Sequence, residues 1–454
     1  MSKIQEYVDA NREKTLGELI ELLKIASIST DDRMKDEVNR CAELVAERMG
    51  EAGLDASVIP TPGHPIVYGE RLNAPGQPTV LIYGHYDVQP PDPVELWRHG
   101  PFNPTEEDGY LVARGATDDK GQFYSLLKGV QAALEVYGEL PVNVKMLIEG
   151  EEEVGSENLT PFVQKESGRL DCDIVVISDC SQFAIDVPAI TYGLKGLAYL
   201  ELIVRGPAKD LHSGSYGGSV SNPANVITRM IAACQDAFGK TAIPGFYDDV
   251  RPLEDWEREE FAKLPFTDEE FLEETGAPKT FGEEGYTTLE RKWARPTFDV
   301  NGLTSGYTGV GAKTVLPAEA TVKFSMRLVP DQDPDKVSSL VVDFLKDIAP
   351  DSVEIEIKNH HGAKPVVVSR EGKAVQSATK AIESGFGRPP VFVREGGSIP
   401  VVNTFREELG AESLLIGLGL PGDNPHSPNE HFRILDYYRG MVTMAVFLKE
   451  FAGE

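Results

Sequence analysis

The chain has 454 residues, of which 41% are hydrophobic and 26% are charged, and its formal net charge at pH 7 is −29. This length and composition predict a globular protein with more than one domain. The strong negative charge argues against nucleic acid or anionic membranes as partners, because like charges repel.

The compartment is predicted from the N-terminus and the cysteines. Residues 1–6 lack the basic and apolar regions of a signal peptide, and no stretch reaches the ~18 apolar residues that a membrane-spanning helix needs. The cysteines form no CxxC pair and no dense disulfide pattern. We therefore expect a reduced, cytoplasmic protein with no membrane partner.

Helical and strand patterns alternate in the first part of the chain. A helix is predicted from Asp31 or Asp32 to Met49, and another from about Lys120 to the residue before Gly138. Strands are predicted at residues 56–60, 66–69, 79–85, 142–148 and 173–178. Strands that alternate with helices indicate βαβ units and a largely parallel sheet.

The pattern changes in the middle of the chain. Half-exposed strands are predicted at residues 199–204, 320–328 and 353–358, and helices at 222–237 and 334–348. Residues 248–285 are crowded with charge, which is typical of solvated helices. Strands at 391–393 and 414–417 then resume the first pattern. The fold class is therefore α/β, with the main domain interrupted by a smaller α+β domain.

Polar side chains stand at the ends of several predicted strands. His85 and Asp87 follow the apolar run at residues 79–84, and ligands of open α/β sheets gather outside such carboxyl ends. Further acidic or imidazole groups at element ends are Asp118-Asp119, Glu149 to Glu153, Asp179 and His426. Histidine and carboxylate ligands without cysteine suit Zn²⁺, Mn²⁺ or Co²⁺. Together these positions predict a metal centre in which two ions share a bridging carboxylate.

Each position has an ordinary structural interpretation when taken alone. Asp118 or Asp119 could cap a helix, the glutamates could be solvated, and His426 could lie in a surface loop. Their joint occurrence favours the metal centre. In the pair Glu152-Glu153, one carboxylate could bind metal while the other takes a proton from water.

Several motifs carry a resemblance to a known family. They include Gly84-His-Tyr-Asp87-Val, Arg114-Gly-Ala-Thr-Asp118-Asp-Lys-Gly121, Glu149-Gly-Glu-Glu152-Glu153-Val, His426-Ser-Pro-Asn-Glu430, Asp210-Leu-His-Ser, Arg327-Leu-Val-Pro330 and Arg394-Glu-Gly-Gly-Ser-Ile-Pro400. In these motifs the chain resembles the M20 metallopeptidases, and the resemblance covers nearly its whole length. Within that family, it is most similar to the branch of cytosolic non-specific dipeptidases and carnosinases. The resemblance implies a zinc-peptidase-like catalytic domain with a mainly parallel sheet at residues 1–196 and 365–454. A lid and dimerisation domain would occupy residues 197–364.

The resemblance also implies a role for each strand-end residue. Two divalent ions per subunit, Zn²⁺ or Mn²⁺, would be held by His85 and Asp179, by Glu153 and His426, and by Asp118 as the bridge. Glu152 would be the general base, Asp87 would position His85, and the peptide bond after Asp118 would be cis. Glu151 adds a third acid, so the choice of base carries some ambiguity, although the spacing to Val154-Gly155 favours Glu152.

In the inserted domain, the resemblance implies that the protein is a homodimer in which His212 stabilises the oxyanion at the partner subunit's active site. Arg327 would hold the substrate carboxylate. Without the resemblance, an ordinary surface group is the favoured interpretation of either side chain. The substrate pocket would be completed by His361, Glu395, Gly397 and Ser398, with Glu395 a candidate for binding the free amino terminus.

The predicted function is hydrolysis of dipeptides. Glu152 would take a proton from the attacking water and return it to the leaving amine. One alternative is an N-acyl amino acid deacylase or a carboxypeptidase of the same family. Another is a catalytically inactive binding protein on this fold, which is disfavoured because each expected site position carries the required residue type.

Overall fold

The structure is a computed structural model of the chain and describes residues 2–397 and 399–452. It divides into two units. Unit 1 comprises Met1–Tyr192, Val368–Val393 and Val401–Glu454, and unit 2 comprises Gly193–Val367 and Arg394–Pro400. In this division, residues 394–400 group with the inserted segment.

The helices and strands alternate along the chain. In order, the helices are α1 (Lys3–Ala10), α2 (Arg12–Leu23), α3 (Lys35–Glu51), α4 (Lys120–Tyr137), α5 (Leu159–Lys165), α6 (Ser167–Leu170), α7 (Ser213–Tyr216), α8 (Pro223–Ala232), α9 (Asp255–Ala262), α10 (Asp268–Thr275), α11 (Thr288–Ala294), α12 (Pro334–Ile348), α13 (Lys373–Phe386), α14 (Val401–Leu409) and α15 (Ile434–Phe451). The strands are β1 (Asp55–Ile59), β2 (Ile66–Arg71), β3 (Thr79–His85), β4 (Thr105–Glu107), β5 (Tyr110–Val112), β6 (Asn143–Glu149), β7 (Ile174–Ile177), β8 (Ala189–Leu194), β9 (Gly196–Arg205), β10 (Leu211–His212), β11 (Asp299–Ser305), β12 (Val315–Leu316), β13 (Glu319–Leu328), β14 (Glu354–Ala363), β15 (Val366–Val367), β16 (Val391–Glu395), β17 (Ser413–Gly417) and β18 (His431–Arg433).

Unit 1 is built on a sheet with the strand order β1-β2-β6-β3-β7-β17-β8. The adjacent strands β6, β3, β7 and β17 are parallel, which confirms the mainly parallel sheet expected from the sequence. Strands β3 and β7 are almost wholly buried, as their Val and Ile content requires. Helix α4 packs against α15, and Gly129 allows the close approach because an added Cβ would lie 2.5 Å from the Cβ of Met444.

Unit 2 contains an antiparallel sheet with the order β11-β13-β9-β14. Apolar residues of β9 and β13 form a core with α8 and α12, among them Leu200, Leu202, Ile227, Phe324 and Val341. Helices on an antiparallel sheet are the smaller α+β domain that the sequence predicts. None of the helices in the described ranges of either unit is long and apolar enough to cross a bilayer.

Two boundaries show how local chemistry sets the elements. Helix α12 has its predicted bounds, because the Asp333 carboxylate accepts the N–H groups of Asp335 and Lys336 at its start. Helix α8 ends at Ala232 and not near Ala237, so that prediction was wrong. The Asp236 carboxylate accepts the N–H groups of Phe238 and Lys240 instead, which closes a turn.

The composition of the charged segment 248–285 predicted that it would be solvated throughout. The structure shows instead that part of it is buried. Glu257 is 1% exposed and forms an ion pair with Arg394, which is 5% exposed. Phe261 is also buried and packs edge-on against Trp293. This segment therefore contributes buried contacts to unit 2.

Candidate metal centre

The carboxyl ends of the parallel strands in unit 1 carry the predicted chemical groups. His85 is the last residue of β3, and Glu152 and Glu153 follow the end of β6 in a short 3₁₀ turn. Asp179 lies two residues beyond the end of β7. Because these strands are adjacent and parallel, their ends meet at one edge of the sheet.

The predicted ligands form two overlapping groups. One ligand atom from each of His85, Asp118 and Asp179 lies within 4.8 Å of the others, and the same holds for Asp118, Glu153 and His426. Asp118 belongs to both groups. The structure thus brings together all five side chains that the sequence nominated as metal ligands.

Asp118 directs one carboxylate oxygen toward each imidazole. Its Oδ1 lies 3.1 Å from Nε2 of His85, and its Oδ2 lies 2.9 Å from Nε2 of His426. Nε2 of His426 is also 3.3 Å from a carboxylate oxygen of Glu153. The Asp118–Asp119 peptide bond is cis. The two Asp118 oxygens therefore face two different imidazoles, as required of a carboxylate that bridges two ions.

The chemistry of this donor set fits divalent cations. Nδ1 of His85 lies 3.1 Å from the backbone oxygen of Asp87, so a neutral ring that donates there directs its Nε2 lone pair at the Asp118 carboxylate. The His85 Nε2 lone pair and the Asp118 oxygen are both acceptors, so a cation bound to both would stabilise their contact. Without a cation, only a proton between the two atoms can stabilise it. Burial alone would lower the pKa of His85, but the hydrogen bonds to Asp118 and Asp87 raise it well above its usual value.

His426 is held in an unusual backbone conformation. Its φ is 58°, in the left-handed region that residues other than glycine rarely adopt, and Asn424 and Asn429 of the same loop share this feature. Its side chain is 56% exposed, and hydrogen bonds to Asp118 and Glu153 raise the pKa of His426 to about 10. His426 is therefore far more exposed than His85, which is fully buried.

The three consecutive glutamates have separate environments. Glu151 is buried away from the ligands, where its carboxylate accepts the N–H of His64 at 2.9 Å and the amide of Asn158. Burial raises the pKa of the Glu152 carboxyl well above its usual range, and Asp179 and Glu153 add to the effect. Glu152 therefore remains the candidate base.

Two further contacts at the centre involve Gln89, which the sequence had not singled out, and Asp119, for which it had suggested only a helix cap. Nε2 of Gln89 donates to the Glu153 carboxylate at 2.8 Å and to the Glu153 backbone oxygen at 3.2 Å. The Asp119 carboxylate, at the N-terminus of α4, makes no capping bond and instead accepts the N–H of His85 at 3.2 Å. Gln89 lies two residues after Asp87, and that proximity was the available signal.

In unit 2, several predicted substrate residues gather around the start of β9. Arg327 on β13 pairs with Leu197, and His361 on β14 pairs with Tyr199. The backbone oxygen of Glu395 accepts the N–H of Lys195, one residue before β9. Burial lowers the pKa of Arg327. Arg327 and His361 therefore share one end of the β11-β13-β9-β14 sheet, and Glu395 of β16 contacts the residue that precedes β9.

The other predicted residues of unit 2 are placed differently. His212 is exposed on a two-stranded ribbon formed by β10 and β12, where its Nδ1 accepts the N–H of Gly214 at 3.0 Å. No heavy atom among the described residues lies within 4 Å of a Cβ placed on Gly397. Ser398 lies outside the described residues.

Comparison with known proteins provides a second line of evidence for a metal centre at these residues. The sequence profile of peptidase family M20/M25/M40 matches residues 81–450. The chain is 32% identical to a Cys-Gly metallodipeptidase of Schizosaccharomyces pombe, and the alignment covers 100% of this chain and 98% of that protein.

Two solved structures are similar over nearly their full length. Human carnosine dipeptidase 1 has a TM-score of 0.86 at 31% identity and covers 99% of this chain and 98% of its own. An M20-family metallo-carboxypeptidase from Sulfolobus solfataricus has a TM-score of 0.85 at 36% identity, with 96% and 99% covered.

Proposed function

The chain belongs to peptidase family M20/M25/M40 and is a metallopeptidase, and on that premise we propose that it hydrolyses dipeptides at a centre of two divalent ions. The observation that carries this proposal is the position of Asp118 in both ligand groups. A carboxylate that lies between two groups of ligands is typical of hydrolases that use two metal ions.

We assign the ligands as the geometry groups them. His85 and Asp179 would hold one ion, Glu153 and His426 the other, and Asp118 both. Bound there, the ions would polarise the scissile carbonyl and lower the pKa of the attacking water. Zn²⁺ and Mn²⁺ are the proposed metals because both accept imidazole and carboxylate ligands.

The proton transfers fall to Glu152. Its carboxylate takes a proton from the water that attacks the carbonyl, and the same oxygen returns the proton to the leaving amine. Burial raises the pKa of Glu152 well above its usual range, which supports its assignment as the group that accepts the proton. Asp87 acts as a positioning residue through its contacts with His85, Glu152 and Glu153.

A dipeptide offers a charged group at each end, and unit 2 has residues suited to both. We assign the substrate carboxylate to Arg327 and the free amino group to Glu395, with His361, Gly397 and Ser398 completing the pocket. The Cys-Gly metallodipeptidase and the carnosine dipeptidase among the similar proteins support this substrate class.

A carboxypeptidase activity is the second candidate, and the 36%-identical metallo-carboxypeptidase favours it. The two activities differ in whether a free amino group is needed beside the scissile bond. Ala-Ala, N-acetyl-Ala and N-acetyl-Ala-Ala separate the candidates. A dipeptidase cleaves Ala-Ala alone, a carboxypeptidase also removes the terminal residue of N-acetyl-Ala-Ala, and a deacylase cleaves N-acetyl-Ala.

We further propose a homodimer in which His212 stabilises the oxyanion in the partner subunit's site. The exposure of His212 supports this assignment. Mixing inactive His212→Ala and Glu152→Gln proteins tests it, because a mixed dimer has one intact site only if His212 acts across the interface. Recovered activity is expected. Failure to recover activity in dimers shown to exchange subunits would overturn the assignment, as would a monomer in sedimentation.

The metal requirement is tested on metal-stripped protein. Zn²⁺, Mn²⁺ and Co²⁺ are added separately and hydrolysis of a dipeptide panel is measured. Activity that survives complete metal removal would overturn the two-ion proposal. We also propose a cytoplasmic location, because the four cysteines of the sequence form no CxxC pair and no dense disulfide pattern.

A further inference from the structure

Glu430 lies outside the two ligand groups but is bound to the segment that carries Asp118. Its side chain is fully buried, and its carboxylate accepts the guanidinium of Arg114 at 2.7 Å. It also accepts three backbone N–H groups, from Gly115 at 3.0 Å, Thr117 at 3.0 Å and Asp118 at 3.1 Å. One carboxylate therefore accepts three of the five backbone N–H groups of the turn 114–118, together with the Arg114 guanidinium.

A second buried carboxylate binds the same turn. Asp423 is 1% exposed, and its Oδ2 accepts the hydroxyl of Thr117 at 3.0 Å and the N–H of Leu420 at 2.8 Å. The backbone adds a further link, since the N–H of Ala113 donates to the oxygen of Glu430 and β18 pairs with β5. Three sets of contacts thus join the segment 110–118 to residues 423–433.

The loop 419–430 also contains His426. The bridging ligand and one terminal ligand are therefore carried by two segments that these buried contacts make into a single body. We propose that Glu430, assisted by Asp423, is a positioning residue that fixes the Asp118 carboxylate relative to His426 and so sets the affinity for both metal ions.

This inference rests on the proposed two-ion centre, and its physical basis is the shared role of Asp118. A displaced bridging carboxylate weakens the binding of both ions, because each loses one ligand. A displaced terminal ligand weakens the binding of one. Gln89 provides the matched comparison, because within the described residues its side-chain amide donates to Glu153.

The experiment measures binding of Zn²⁺ alone to metal-stripped wild type, Glu430→Gln and Gln89→Leu, in competition with a chelator, and gives the two stepwise dissociation constants. In wild type, both Glu430 oxygens accept hydrogen bonds from N–H groups of the turn 114–118. In Glu430→Gln, the side-chain NH₂ would replace one of these oxygens and would face an N–H donor. We expect both constants to rise by about 10- to 100-fold in this variant, the effect typical of lost ligand-orienting contacts. In Gln89→Leu, one constant should rise and the other should stay near its wild-type value.

The outcomes separate the inference from the function on which it rests. Wild type that binds no Zn²⁺ would overturn the two-ion centre itself. Wild type that binds two ions, with Glu430→Gln unchanged or affected at one ion only, would overturn the positioning role. So would equal weakening of both ions in Glu430→Gln and Gln89→Leu, because the loss would then not depend on the bridge.

Thermal unfolding of the metal-stripped proteins shows whether Glu430→Gln folds. If it does not fold, Thr117→Val replaces it, because it removes only the hydroxyl that donates to Asp423. Both constants should then rise by a smaller factor. Unchanged constants in Thr117→Val would overturn the proposal.

Discussion

The backbone N–H of Glu153 donates to the carboxylate of Asp87 over 3.1 Å, which joins the turn after β6 to the end of β3. The N–H of Glu152 donates to the other Asp87 oxygen at 3.3 Å. Nδ1 of His85 lies 3.1 Å from the Asp87 backbone oxygen and 3.4 Å from its carboxylate. Asp87 therefore contacts the proposed base and two proposed ligands, whereas the sequence suggested only that it orients His85.

Asp87→Asn should weaken metal binding at both ions. The asparagine side chain keeps one oxygen acceptor, but its NH₂ group faces a backbone N–H, so the turn that carries Glu152 and Glu153 must shift. We expect a loss of about 10- to 100-fold in metal affinity. Competition with a chelator measures this loss, and Asp92→Asn, at an exposed position in the following loop, is the control. Wild-type affinity in Asp87→Asn would contradict the positioning role.

Glu152→Gln should separate proton transfer from metal binding. The amide cannot accept a proton from water, so kcat should fall by about 10²- to 10⁴-fold. Metal content should stay at the wild-type value because Glu152 belongs to neither ligand group. Steady-state kinetics and metal analysis of the same preparation give both numbers. Wild-type kcat would show that another residue is the base.

The five proposed ligands are histidines and carboxylates at or after strand ends or before a helix, and this pattern alone predicted a metal centre. Their separate roles as bridge and terminal ligands followed only from the resemblance to the M20 metallopeptidases. The contacts of Glu430 could not be predicted in this way. It meets the N–H of Asp118 across 312 positions of sequence, and neither residue type names the other as its partner.

The same distinction holds for the fold. The bounds of α4 and α12 follow from signals within the helix ends, such as Gly138 with its φ of 82° and Asp333 as the N-cap. The burial of Glu257 depends on Arg394, 137 positions away, so its charged neighbours suggested solvent. Composition predicts only the average exposure of a segment. A single residue such as Glu257 can still be buried when a distant partner such as Arg394 pairs with it.

Lys195 should make the stability of the protein depend on pH. Burial and the nearby Arg327 lower the pKa of Lys195 from 10.5 to about 7. Between these values the unfolded chain binds a proton that the folded protein excludes, so stability rises with pH. From pH 7 to 9.5 the free energy of unfolding should rise by up to about 3 kcal/mol more in wild type than in Lys195→Met.

Urea unfolding of wild type and Lys195→Met at the two pH values measures this difference. Groups that titrate in both proteins cancel in the comparison. Lys195→Met also loses the hydrogen bond from Nζ to the Arg291 oxygen, which shifts its stability by a similar amount at both pH values. Parallel pH profiles for the two proteins would contradict a lowered pKa.

Two glycines in helices should respond to alanine in opposite directions. In α4, a Cβ at Gly129 would lie 2.5 Å from the Cβ of Met444 and 2.8 Å from the oxygen of Met441, so the contact with α15 must open. Overpacking of this kind typically costs about 1–3 kcal/mol. In α2, no heavy atom of the described residues lies within 4 Å of a Cβ at Gly17. Gly17→Ala should therefore stabilise the protein by about 0.5–1 kcal/mol, because alanine loses less backbone entropy in a helix.

Urea unfolding of both variants at one pH tests the pair, and each serves as the control for the other. Helix propensity favours alanine at both positions, so a difference in sign isolates the contact between α4 and α15. Equal stabilisation in Gly129→Ala and Gly17→Ala would mean that the two helices can separate without cost. That result would contradict the close approach that Gly129 allows.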